Sequence, residues 1–175
     1  NGMACLNVTI TPTNISLSSD HAIYTLFLKK NHSPKNTIIM GYSSWSDDAF
    51  NVLKHTRRTK TTSAIFTSKS LSKDMDPKGI NFRESRDSDE HPNTIPVMVF
   101  LDVTGSMGRI PEVLVREKLG ALMNTLLDHG LSDAQVLFGA IGDHVTDRFP
   151  LQVGQFESGT QELDQWLTTT YLEGG

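Results

Sequence analysis

The spacing of apolar residues is regular only in the second half of the chain. Ile95 to Leu101 is an almost unbroken apolar run, of the kind a strand buried on both faces of a parallel sheet requires. Pro111 then suits the first position of a helix. Val115, Leu119, Leu122, Met123, Leu126 and Leu127 recur at helical spacing as one stripe. His129 falls in the last turn of that helix, and Gly130 is its expected stop. A short loop, Leu131-Ser132-Asp133, leads to a second apolar strand, Val136 to Ile141, which ends at Gly142-Asp143-His144. Strand, helix and strand joined by short loops predict a right-handed crossover between parallel strands. Phe149, Leu151 and Val153 alternate with polar or small residues and predict a half-exposed edge strand. Ser158 with Gln161 has the spacing of a capping box for a last helix. Leu163, Trp166 and Leu167 are its expected buried side, with Tyr171 beyond them.

The first half is less patterned. Residues 1–39 are rich in Asn, Thr, Ser and Ile and keep no period, apart from one candidate strand at Ile23 to Leu28. They read as a poorly structured extension outside the evolved domain, upstream of a natural start at Met40. Asn-x-Ser/Thr triplets at Asn7, Asn14 and Asn31 fall in a segment so rich in these residues that chance accounts for them. Residues 40–94 form a lead-in. Ser46-Asp47-Asp48 opens a helix to about Arg58, with Ser46 as cap, both acids at the positive end of the dipole, and Phe50, Leu53 and Val52 on its apolar side. A Thr/Ser/Lys-rich stretch follows, with Ala64-Ile65-Phe66 as its apolar knot. Asp76-Pro77-Lys78-Gly79 is a turn and Ile80-Asn81-Phe82 a short strand. Arg83 to Pro92 is densely charged. Asp87, Asp89 and His91 are acid and histidine candidates for a metal, but mixed charge without apolar neighbours reads first as a solvated connection.

Composition narrows the function classes. The 175 residues suffice for one domain. No apolar run spans a bilayer, and no signal peptide is legible. The single cysteine, Cys5, excludes a disulfide framework and a cysteine metal cluster, and points to a reducing, cytoplasmic setting. Residues 1–95 carry 12 Lys/Arg and 9 Asp/Glu, whereas residues 96–175 carry 4 and 11. The acidic second half lacks the basic footprint of nucleic-acid binding, so neither nucleic acid nor membrane is an expected partner.

The chemistry concentrates in Asp102-Val103-Thr104-Gly105-Ser106, where the buried strand turns into the helix. In an open parallel sheet ligands bind beyond the carboxyl ends of the strands. Asp102, Thr104 and Ser106 there offer only oxygen donors, the set preferred by hard cations such as Mg2+ or Mn2+. One carboxylate with two neutral hydroxyls leaves the ion residual positive charge, so it keeps open positions and can accept a carboxylate from a partner. Asp143, at the end of the neighbouring strand, is a further candidate ligand, though its position also suits a turn-forming Asp. His144 beside it reads as a surface turn residue.

This motif, with the order of elements around it, resembles the first half of a von Willebrand factor type A domain over Ile95 to Gly175, of the bacterial or phage stand-alone type. Asp102-x-Thr104-x-Ser106 is similar to that family's metal-ion-dependent adhesion site, Asp-x-Ser-x-Ser, with Thr in place of the first Ser. The resemblance implies an α/β fold: a three-layer, Rossmann-like domain with a mainly parallel central sheet, here truncated at the C-terminus. It implies a non-enzymatic, cation-dependent protein-binding module whose partner presents an acidic side chain. The family completes its site with a Thr and an Asp from later loops, and the chain ends as it enters the first of these. The later strands that would flank the first strand are also missing, which predicts an unpaired edge. Two other readings stand beside this one. Asp102-Val103-Thr104 also resembles the nucleophile loop of haloacid-dehalogenase phosphatases, with Thr104 where those enzymes carry a second Asp. That implies Mg2+-dependent phosphoryl hydrolysis with Asp102 as nucleophile. In the third reading Thr104 and Ser106 cap a helix in a structural domain whose metal site is degenerate. No hydrolase elbow or phosphate loop is present.

Overall fold

In the computed structural model, residues 9–10, 24–27, 43–105 and 109–173 are described below. The strands are β1 (Thr9–Ile10), β2 (Tyr24–Phe27), β3 (Ile95–Asp102), β4 (Ala134–Ile141) and β5 (Leu151–Glu157). The helices are α1 (Asp47–Arg57), α2 (Thr62–Ile65), α3 (Arg109–Val113), α4 (Leu119–Asp128) and α5 (Thr160–Thr169). A π-helical turn, Leu114–Lys118, joins α3 to α4. The strands form one sheet in the order β1-β2-β3-β4-β5.

The fold is α/β, but the mainly parallel sheet predicted from the sequence is not what forms. Only β3 and β4 are parallel; β1/β2, β2/β3 and β4/β5 are antiparallel. The reason lies in the connections. A parallel neighbour needs a long crossover, which α3–α4 supplies between β3 and β4. Residues 142–150 turn the chain straight back, so β5 runs against β4. The strand expected at residues 23–28 forms at Tyr24–Phe27 and pairs antiparallel with β3 from Val97 to Phe100. The edge predicted to lie open is therefore occupied along that stretch.

Side chains alternate along β3. Val97, Val99 and Leu101 are buried with Val136 and Phe138 of β4 under a core that includes Phe50 (α1), Leu119, Leu122, Met123 and Leu126 (α4), and Leu163 and Leu167 (α5). Met98, Phe100 and Asp102 point to the other face and are only half-buried. The unbroken apolar run thus overstated the burial of β3. The stripe on α4 is buried as predicted except for Leu127, which is 40% exposed. Gly130 ends the helical stretch at φ 77°, a conformation that costs other residues more.

Local chemistry explains the lead-in. Ser46 caps α1 by accepting from Ala49 N at 3.3 Å, as predicted. Phe50 is buried, whereas Val52 points to solvent. Asp76 Oδ1 accepts from Lys78 N at 3.0 Å and starts the short 3-10 turn Pro77–Gly79. Residues 80–82 form no strand, and Phe82 is exposed. The charged stretch before β3 is less solvated than its composition predicts. The buried Gln135 amide exchanges two bonds with the Arg86 main chain, at 2.9 and 3.0 Å. Buried His91 sits with Nε2 3.1 Å from Ser43 O. Arg57 of α1 and Asp164 of α5 form an ion pair with side chains only 11% and 8% exposed. The lead-in is thereby fastened to the sheet's helical layer.

Two features depart from the predicted end of the chain. Ser158 does not cap α5: Gly159 holds the cap position, and Ser158 Oγ is buried without a hydrogen bond. Residues 171–173 fold back on the start of β5. Gln152 bonds both Tyr171 N and Tyr171 O, at 2.9 and 2.8 Å, and buried Glu173 accepts from Phe149 N at 2.7 Å. A bulge between β4 and β5 lies opposite Leu137–Gly139. Beside it, Arg83 Nε donates to Gly154 O at 2.6 Å.

Candidate metal-binding turn

Asp102 is the last residue of β3 and lies in register with Ile141, the last of β4. Val103 extends the ladder by one bond to Ile141 O, at 3.0 Å, and is fully buried. Burial of Leu101 and Val103 on one side forces Asp102 to the other, where it is half-buried at the carboxyl end of the parallel pair. Its Oδ1 accepts from Thr104 N at 2.9 Å and from Thr104 Oγ1 at 2.7 Å. The carboxylate and the first hydroxyl of the motif are therefore in contact. The third member, Ser106, lies outside the described residues, as do residues 107 and 108. Gly105 is exposed, with nothing near the position a Cβ would take.

Asp143 also lies at this end, two residues beyond β4, and its carboxylate is engaged in its own turn. Oδ1 accepts from Val145 N at 2.6 Å and from Thr146 N at 3.1 Å. These two main-chain donors hold the carboxyl below its ordinary range. Asp143 N in turn donates to Asp147 Oδ2 at 2.6 Å. This is the turn-forming geometry weighed from the sequence. The exposed His144 lies in the same turn.

The other acid and histidine candidates do not gather. Asp87 and Asp89 are exposed, whereas His91 is buried with Nδ1 3.7 Å from Asp133 Oδ1. Asp87 Oδ1 accepts from Thr94 N and Oγ1 at 2.9 and 3.0 Å. That repeats, across a longer loop, the bonding of Asp102 and Thr104. Among the described residues no three His, Cys, Asp or Glu side chains converge as a metal cluster. A site of one carboxylate and hydroxyls, as at Asp102, would not form such a cluster.

Sequence reasoning missed a concavity elsewhere on the fold. A cavity of about 450 Å³ lies beside β5, lined in part by Lys73, Arg83, Glu157 and Trp166. These residues are scattered along the chain and share no motif, so only the fold brings them together. No described helix is long and apolar enough to cross a membrane. No protein-family model, curated protein or solved structure matches the chain.

Proposed function

We propose that the turn after β3 holds Mg2+ or Mn2+ and, through it, binds an acidic side chain of a partner protein, in the manner of a von Willebrand factor type A adhesion site. The observation that carries the reading is the bonding at Asp102. Both Thr104 donors are spent on Oδ1, and Oδ2 has no partner among the described residues. Asp102 and Thr104 thus present oxygens at the carboxyl end of the parallel pair, where such folds bind ligands. Ser106 is the third proposed donor. Asp143, engaged with its own turn, is proposed only to add negative potential nearby. The ion would supply Lewis acidity toward a partner carboxylate. The chain's own residues orient the donors: Val103 anchors the strand end, and the Thr104 bonds fix the carboxylate.

A structural reading has its own support. Asp87 and Thr94 use the same pair of bonds in a loop that lacks the rest of the motif. A thermal-shift titration with Mg2+ and Mn2+, on the parent chain and on Asp102→Ala, separates the two. A ligand bound only by the folded state adds about 2.7 kcal/mol at a hundredfold excess over its dissociation constant. Stabilisation of the parent but not of Asp102→Ala is expected. Indifference of a cooperatively folded parent to both ions would leave the turn a structural device.

A further inference from the structure

Glu157 pairs with Val136 near the start of β4, away from the Asp102 end of the sheet. Here the outer side of β5 faces the strap of residues 73–83 across the 450 Å³ cavity. That volume falls in the range of small-molecule sites, about 300–1,000 Å³.

The two walls differ in charge. The strap contributes Lys73 and Arg83, with Asp74 beside them. Arg83 gives two of its N–H groups to main-chain carbonyls, Nε to Gly154 O at 2.6 Å and Nη2 to Asp74 O at 2.7 Å. These bonds hold its charge in place, and the Asp74 carboxylate lies near enough to favour that charge. Lys73 is exposed at the rim.

The opposite wall is Glu157 and Trp166. The Trp166 indole N–H donates to Glu157 Oε1 at 3.4 Å. Burial holds the Glu157 carboxyl above its ordinary range; the Trp166 bond opposes this and the charge of Glu162 adds to it. A half-buried carboxylate beside an indole is suited to an ammonium group, which gains from both the charge and the ring face.

An anion alone would satisfy the strap and repel Glu157. A cation alone would satisfy Glu157 and repel Lys73 and Arg83. We propose that this cavity binds a small zwitterion, with its ammonium group at Glu157 and Trp166 and its carboxylate toward Lys73 and Arg83. The ligand class is an amino acid or short peptide without net charge. The site is separate from the proposed cation site and does not depend on it.

The test is a titration of the parent chain with ω-amino acids of increasing length, from β-alanine to 8-aminooctanoate. Binding is followed by NMR at the Trp166 indole N–H, assigned by its persistence in Trp45→Phe. At least one length is expected to saturate with a Kd of about 1 mM or tighter. The alkylamine and the carboxylate of the same length are expected to bind at least about tenfold more weakly. Glu157→Gln, at a half-buried position, and Lys73→Ala, at an exposed one, are each expected to weaken the zwitterion by a similar factor. The proposal fails if no length saturates, if the amine or the acid alone binds as well, or if both folded variants bind unchanged.

Discussion

Arg57 and Asp164 offer the sharpest test of how the lead-in is held. Their side chains are 11% and 8% exposed, so neither charge is well solvated. The pair links α1 to α5, and Arg116 adds to it by donating to the Arg57 carbonyl. Replacing Arg57 by Met keeps much of the apolar stem but leaves the Asp164 carboxylate buried without its partner. Breaking a buried pair in this way costs about 3–5 kcal/mol, because the desolvation of the remaining charge is no longer offset. A domain of this size has about 5–15 kcal/mol of stability in all, so Arg57→Met should remove a large share of it. Removing both charges, as Arg57→Met with Asp164→Leu, eliminates the orphan as well. That double variant should recover most of the loss, since an ion pair replaced by apolar groups of similar volume is often neutral. Urea denaturation of the parent, both single variants and the double variant gives the coupling as the departure from additivity, with m values checking that the transitions stay comparable. A double variant no more stable than Arg57→Met would refute the reasoning, and would mean that packing or the Arg116 contact carries the stability.

Two further outcomes follow from other positions. Burial raises the Glu157 carboxyl in the folded protein, so its ionised form is the disfavoured one there. Its share of stability is greatest at low pH, where the group is protonated in both states, and falls as pH rises above the unfolded value of about 4.3. Glu157→Gln should therefore flatten this fall in melting temperature as pH rises above about 4; an unchanged profile would contradict the assignment. Gly139→Ala should destabilise the sheet by about 1–3 kcal/mol in chemical denaturation. An added Cβ would lie 2.4 Å from the Phe100 ring and 2.9 Å from the Gln152 carbonyl, and this overpacking exceeds the roughly 0.4–1 kcal/mol gained from a stiffer unfolded chain. Parent-like stability would show that Phe100 and β5 yield more readily than core packing allows.

What was legible in the sequence was local or periodic. The apolar run at 95–101, the stripe on α4 and the Gly130 stop depend on nearest neighbours and a single repeat, and each forms where expected. The Ser46 cap is likewise written within three residues. Strand direction was less accessible. A crossover helix implies a parallel pair, but nothing in the β5 sequence distinguishes a return hairpin from another crossover, and the expected parallel sheet came from generalising one unit. The contact of Asp102 with Thr104 was readable because the two lie two residues apart at a strand end. The pairing of Arg57 with Asp164, the Gln135 clasp on Arg86 and the bond of Arg83 to Gly154 join residues far apart in sequence. They have no signature until the chain is folded. Ser158 misled for the opposite reason: its spacing from Gln161 suited a cap, but the helix began one residue later than that spacing implied.

β5 is the last strand of the sheet, and an end strand offers its free amides and carbonyls to any other strand that meets it. Two features described above oppose this. The bulge breaks the even repeat on which a new strand would have to register, and the Arg83 guanidinium occupies the Gly154 carbonyl beside it with a fixed positive charge. An incoming strand would have to displace a charged group from a carbonyl it holds and then pair across an irregular ladder. The residue that shapes one wall of the cavity thus also stands against strand addition at this edge, so the proposed ligand site and the protection of the edge share one side chain.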